Sequence, residues 1–332
     1  MSSGCRHGSE ARPPTPQEAA VIEADEALLK AEARARKAAR RQRETAQPPR
    51  QRKQMTFGPP TLIASDVDGT LIDDENRVSS RTVSVLSAAR AAGVEFVLAT
   101  GRPPPRWIAE ITDQFAGTDA FVRYAVCANG AIIYDAEHDR VLWSANLEPD
   151  VLGKLGEIAY QQIPGCGIAA ERAGRSAHDA ATAPPFVASA GYEHAWLNPD
   201  HVEVGDDEVF SQSAVKLLVR KPDMPSGEMA ERLQPFVGDL AQVTFSTDNG
   251  LVELSVPGTH KASGLARLCE ATGLPDNGLI AFGDMPNDVE MLSWASHGVA
   301  MGHSHQAALD AADEVTVGNN DDASPGSSNA GS

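Results

Sequence analysis

Residues 62–71, LIASDVDGTL, constrain this chain more than any other stretch. Leu62, Ile63 and Ala64 form a short apolar run before a polar break, the pattern of a strand buried in a parallel sheet. Asp66 and Asp68 follow at i and i+2, and where a strand runs out into a loop that spacing can turn both side chains the same way. Two carboxylates facing one small volume are costly unless a cation or a proton sits with them. A hard divalent ion with oxygen ligands, Mg²⁺ above all, suits such a pair. An Asp-Gly turn after an edge strand accounts for the same letters with no chemistry at all. Three later segments weigh against that reading: Ala99-Thr100-Gly101-Arg102, Lys261, and Gly283-Asp284-Met285-Pro286-Asn287-Asp288.

From Thr61 onward the pattern alternates strand, loop and helix. A helix is expected over 79–92, with Ser79 or Ser80 as its cap and Gly93 as its stop. A strand over 94–99 delivers Thr100 at its end, and a helix runs from the prolines at 103–105 to about 115. A third strand over 124–128 ends at Asn129-Gly130, followed by a hairpin of 131–135 with 140–144. After an interruption the pattern resumes with a helix over 260–272, strands over 279–283 and 298–301 around a helix over 286–295, and a short strand over 314–317. Strands alternating with helices through short loops imply a parallel α/β sheet, Rossmann-like in layout. Ligands of such sheets bind beyond the carboxyl ends of the strands, near the point where strand order reverses. Asp66, Thr100 and Asp284 each fall at such an end.

The interruption, 146–257, has a different character. It offers a helix over 149–162, then roughly 45 residues rich in Ala, Gly, Pro and His that resist assignment. A strand over 213–220, a helix over 226–236 and a hairpin of 242–247 with 251–256 complete an α+β insertion. The expected division is an extension at 1–57, a core from 58–145 and 258–318, the insertion at 146–257, and a disordered Ser/Asn/Gly/Asp tail at 319–332.

Charge is spread unevenly. Residues 1–57 carry 12 Lys+Arg against 7 Asp+Glu, while the rest carries 16 against 39. The extension is rich in Ala, Glu and Arg and helical by propensity, either a basic arm for an acidic partner or a solvated tail. So acidic a body disfavours nucleic acid and must gather positive charge locally to bind an anionic ester. No apolar run is long enough to span a bilayer. The N-terminal residues hold no apolar signal core, and the four cysteines are far apart with no CxxC pair. A reducing cytoplasm is the expected location.

Together, DVDGT, ATGR, Lys261 and GDMPND resemble the four motifs of the haloacid dehalogenase (HAD) superfamily, in order, over roughly 60–317. The NGA at 129–131 and the wording AFGDMPNDVEML are similar to its Cof-type, subfamily IIB phosphatase branch. The resemblance implies a core of strand order 3-2-1-4-5 with an inserted C2-type cap between the second and third motifs. It implies that Asp66 is a nucleophile forming an aspartyl-phosphate and that Asp68 is the acid/base, with Lys261 as the cation against the phosphoryl group. It makes Asp66, Asp284 and the Asp68 carbonyl Mg²⁺ ligands, with Asp288 beside them. Thr100, Gly101 and Asn287 become phosphate contacts, and Arg102 and Asn129 face the substrate, a small phosphorylated metabolite such as a sugar phosphate. A phosphomutase on the same chemistry and a catalytically silent HAD-fold binding protein are the rivals. His303 and His305 stand where family members carry Asn-Ala, which alters the local turn, and NNDDASPG lacks the usual EDGVA ending, so a final helix is expected to be short or missing.

Overall fold

The strands of a computed structural model, which describes residues 59–102, 106–174, 186–194 and 201–321, sort into two sheets. Expectations for the 1–57 extension and for the chain beyond 321 lie outside these residues. The first sheet has eight strands: β1 (Leu62–Ser65), β2 (Glu95–Ala99), β3 (Tyr124–Cys127), β4 (Ile132–Asp135), β5 (Arg140–Ser144), β12 (Leu279–Gly283), β13 (His297–Ala300) and β14 (Glu314–Val315). The second has six: β6 (Gly167–Glu171), β7 (Phe186–Ser189), β8 (His201–Val204), β9 (Lys216–Arg220), β10 (Gln242–Thr244) and β11 (Leu251–Ser255). The helices are α1 (Ser80–Ala91), α2 (Arg106–Thr112), α3 (Pro149–Gln162), α4 (Asp206–Val209), α5 (Ser226–Val237), α6 (Lys261–Thr272), α7 (Val289–Trp294) and α8 (Gln306–Ala311).

The first sheet runs β14-β13-β12-β1-β2-β3-β4-β5. Its six strands from β14 to β3 are parallel, so the order 3-2-1-4-5 holds, and the expected hairpin adds β4 and β5 antiparallel at one edge. Alternation along the strands sends side chains into two cores. Leu62, Ala64, Val97 and Ala281 pack with Leu265 and Leu268 of α6 and Met291 and Leu292 of α7. Phe96, Leu98 and Ala125 pack on the other side with Leu86 of α1 and Ile108 and Ile111 of α2. Helix ends follow ordinary rules: the Ser79 hydroxyl accepts the Thr82 N–H at 3.0 Å, and α6 stops at left-handed Gly273. The order reverses between β1 and β12, which sets the crevice over the carboxyl ends of those two strands.

The second sheet, β10-β11-β9-β6-β7-β8, is antiparallel except for the β7–β8 pair. Ile168, Ala170, Leu217, Val219, Val252 and Leu254 face α3 and α5 and make its core. The stretch that resisted assignment supplies β6, β7, β8 and α4. Strands such as GIAAE and FVAS lack β-branched runs and are held by their neighbours, so propensity alone does not reveal them. One expectation is corrected at the C-terminus. Asn319, Asn320 and Asp321 are placed rather than disordered, because the Asn319 amide donates to the Ile72 carbonyl at 2.8 Å and Asn320 Oδ1 accepts the Asp74 N–H at 3.1 Å.

Candidate active site

The chain leaves β1 extended at Asp66 and folds into a tight turn over 67–71, with Gly69 at φ +76°. A Cβ at Gly69 would stand 2.6 Å from Asp284 Oδ2, so only glycine lets this turn meet the loop after β12. Gly69→Ala is expected to push the two loops apart, weakening divalent-cation binding and costing about 1–2 kcal/mol for the left-handed backbone. Calorimetric Mg²⁺ titration and a melting curve would measure both.

Lys261 lies in the first turn of α6, fully buried. It donates to Asp66 Oδ1 and to Asp288 Oδ1, both at 2.6 Å. The other Asp288 oxygen accepts the main-chain N–H groups of Asp284 and Met285 at 3.0 Å each. Both oxygens of Asp288 are thus engaged in holding Lys261 and the loop. Asp284 Oδ1 accepts the Thr70 hydroxyl at 3.1 Å, and His303 Nε2 stands 3.7 Å from Asp284 Oδ2. Carboxylate oxygens of Asp66, Asp284 and Asp288 lie within 4.8 Å of one another.

Three buried carboxylates here share one ammonium. Burial drives Asp66 well above the usual carboxylate range; Lys261 opposes the rise, and Asp288, Asp284 and Asp68 add to it. Burial also takes Asp284 from 3.8 up to about 6, with Asp288 adding to it and Lys261, Thr70 and His303 opposing. For Lys261 burial alone would lower the value, but Asp288 and Asp66 outweigh it and hold the ammonium above its ordinary range. The cluster is short of positive charge and presents only hard oxygen donors, so the residues fit a divalent cation of the Mg²⁺ kind. A raised carboxylate contributes stability that is full below its unfolded value and is lost as pH rises through its folded value. Chelator-treated protein is therefore expected to lose melting temperature as pH goes from about 4 past 6, and added Mg²⁺ to flatten that slope. A slope indifferent to the cation would dissociate Asp284 from metal binding.

Thr100, fully buried, accepts the Arg102 N–H on its hydroxyl at 3.0 Å, and a Cβ at Gly101 would reach 3.1 Å from Asn129 Oδ1. Asn129, left-handed at φ 55°, accepts the Asn287 amide at 3.0 Å and donates its own amide to Glu253 Oε2. Arg102 forks onto Asp68, 2.9 Å to Oδ2 and 2.6 Å to Oδ1, and also reaches Asn76 Oδ1 at 3.2 Å. The Asp68 side chain is 58% exposed in that pair, apart from the buried cluster. So Asp66, Lys261, Asp284 and Asp288 form one cluster, Thr100, Gly101, Asn129 and Asn287 form a second linked set, and Asp68 and Arg102 hold each other.

Several participants are not apparent from the sequence. Glu253 sits in an apolar strand, LVELS, where an alternating Glu reads as a solvated face. Lys216, one of several charged residues of the insertion, is 1% exposed and reaches the Gly101 carbonyl at 2.7 Å. His303, expected to affect only a turn, stands beside Asp284. Of the other charged residues in the insertion, Arg172 donates to the Glu208 carbonyl at 3.0 Å, and the His194 and His201 rings meet at a 56° tilt with centroids 3.9 Å apart. Arg175 and His178 lie outside the described residues.

The sequence profile of the haloacid dehalogenase-like hydrolases matches residues 63–324. The chain belongs to that family. This HAD hydrolase is 28% identical over 276 residues to the 5-amino-6-(5-phospho-D-ribitylamino)uracil phosphatase YitU of Bacillus subtilis, covering 79% of this chain and 94% of the relative. It is 27% identical over 264 residues to the like-named YbjI of Escherichia coli, covering 78% and 91%. Its fold matches that of a solved HAD subclass IIB sugar phosphatase with TM-score 0.61 at 20% identity, over 79% of this chain and 95% of the other. The chain is accordingly a HAD-family phosphatase of the Cof type. Among the described residues, no helix is long and apolar enough to cross a membrane.

Proposed function

We propose that the chain hydrolyses small phosphomonoesters of the sugar-phosphate kind, with Mg²⁺, through an aspartyl-phosphate on Asp66. The observation that carries this reading is Lys261, fully buried and bonded at 2.6 Å to both Asp66 and Asp288 at the crevice between β1 and β12. Asp66 is the nucleophile, oriented by Lys261, which opposes the rise that burial gives its carboxyl; a bound cation would favour the ionised form further. Asp66 and Asp284 by side chain and Asp68 by its carbonyl would hold the cation, which would offset charge on the transferring phosphoryl group. Asp288 positions Lys261 rather than reaching the metal itself. Thr100 and the Gly101 N–H bind phosphoryl oxygens, and Asn287 supports them.

Asp68 protonates the leaving oxygen and then takes a proton from the attacking water. For that its carboxylate must exchange the Arg102 fork for the substrate, so Arg102 acts as a holder of Asp68. Residues 146–257 act as a cap over the core of 58–145 and 258–318, and set the fit of the leaving group. Two relatives named for a ribitylamino-uracil phosphate support a phosphate on a sugar-like chain. The buried free thiols of Cys127, Cys166 and Cys269 suit a reducing cytoplasm. The test is phosphate release from a panel of phosphomonoesters with Mg²⁺ and with chelator. Turnover that needs Mg²⁺ and favours sugar phosphates is expected; release unaffected by chelator, or from no ester, overturns the reading.

A further inference from the structure

The second sheet turns a polar face toward the catalytic loops. Glu171 of β6, Lys216 of β9 and Glu253 of β11 share it with Ser255, and each is 3% exposed or less. Charged groups this deep need partners. Lys216 has two: the Gly101 carbonyl at 2.7 Å and Glu253 Oε1 at 3.0 Å. The other Glu253 oxygen takes the Asn129 amide, which ties the sheet to the loops after β2 and β3. Other polar atoms here are not met. Glu171 Oε2 lies 3.8 Å from the Lys216 ammonium, and it has no hydrogen-bond partner, nor do Ser255 Oγ and Asn287 Oδ1. Buried polar atoms without partners are rare because each forfeits its hydration. Here three of them are associated with one network, and that network ends on the Thr100–Arg102 turn and on Asn287.

We infer that Glu171, Lys216, Glu253 and Ser255 form the subsite for the alcohol half of the substrate, and that this subsite selects an uncharged polyhydroxylated leaving group over one bearing a second anion. The inference rests on the phosphatase reading above. A hydroxyl both donates and accepts, so it satisfies the Glu171 carboxyl, which burial pushes up to about 7, whether or not that group holds a proton, and a serine hydroxyl at once. An apolar leaving group would leave the same atoms unmet. A second phosphate or carboxylate would face two buried carboxylates with only Lys216 to answer it, and that ammonium is already bonded twice. A substrate entering between sheet and loops takes over the bonds that now run from Lys216 to Gly101 and from Asn129 to Glu253. Its hydroxyls replace main-chain and amide groups of the core, so leaving-group recognition and cap seating draw on the same side chains.

The experiment compares ribitol 5-phosphate, the corresponding bisphosphate and p-nitrophenyl phosphate. Wild-type kcat/KM is expected to favour the polyol monophosphate over the bisphosphate by about tenfold or more. The ratio of polyol to aryl kcat/KM should fall by ~10–100-fold in Glu171→Gln, the size of a lost hydrogen bond to a charged group, and by ~2–10-fold in Ser255→Ala, the size of one neutral hydrogen bond. Ser255→Ala removes an atom with no partner, so its melting temperature should hold or rise, whereas a structural role would lower it. Calorimetric binding of the same three esters to Asp66→Asn protein reads the subsite without turnover. Tighter binding of the bisphosphate, or equal losses on polyol and aryl esters, overturns the inference. Selective binding with no release from any wild-type reaction would overturn the phosphatase reading and leave the subsite standing.

Discussion

Asp66→Asn is expected to fold, keep its melting temperature within a few degrees, and lose phosphate release by on the order of 10³-fold or more. The substitution changes one oxygen for an amide in a buried place where burial and three other carboxylates already oppose the charge, and Lys261 keeps its bond to Asp288. The fold therefore loses little while the nucleophile is gone. In wild-type protein Mg²⁺ with BeF₃⁻ should mimic the phosphorylated aspartate and raise the melting temperature, since a ligand bound only by the native state stabilises it. The variant should show no such rise. A single turnover in ¹⁸O-water should place label in the released phosphate, because water attacks phosphorus. A mutase would return the phosphoryl group to a sugar hydroxyl with little free phosphate, and a silent binding protein would release none. Full activity in Asp66→Asn would remove the aspartyl-phosphate from the mechanism.

Lys261→Ala should cost more than rate. Removing one preorganised stabilising group from such a site lowers kcat by ~10²–10³. The geometry adds a second loss, since Asp66 and Asp288 would then both face Asp284 with no ammonium among them. Breaking a fully buried ion pair in this way costs about 3–5 kcal/mol, which for a domain of this size is on the order of 10 °C in melting temperature. Lowering pH should recover part of the stability in the variant, because protons can replace the missing cation, but none of the turnover. A variant with wild-type melting and rate would place Lys261 outside the site.

Much of this was legible because it follows from local rules. Strand runs such as LIAS and LIAFG are buried on one face and at least partly buried on the other, their loops start at Asp66 and Asp284, and the glycine at 69 marks the point where two loops must nearly touch. Parallel order and the position of the crevice follow from alternation of strands and helices. What stayed hidden depends on contacts between segments distant in the chain. Nothing near Arg102 in the sequence says that it will fork onto Asp68, or that Glu253 will meet Asn129. Lys216 lies in KLLVR, and only burial of that face against Gly101 distinguishes it from a solvated lysine. The weak strands β6 and β7 were missed for a related reason: their residues are buried in place and have little preference of their own.

The pairing of β1 with β12 also bears on how the protein is made. Leu62 aligns with Leu279, so the strand that carries Asp66 has one permanent neighbour encoded about 200 residues downstream. On a ribosome, β1, β2 and β3 emerge early with the β12 side of β1 uncovered, and the second sheet can complete itself while they wait. Contacts of such sequence separation form late and slowly, and an open strand edge invites wrong pairing meanwhile. Synthesis conditions that delay the last stretch, or truncations before residue 279, should therefore send the nascent chain to chaperones or aggregates well before catalysis can be assayed.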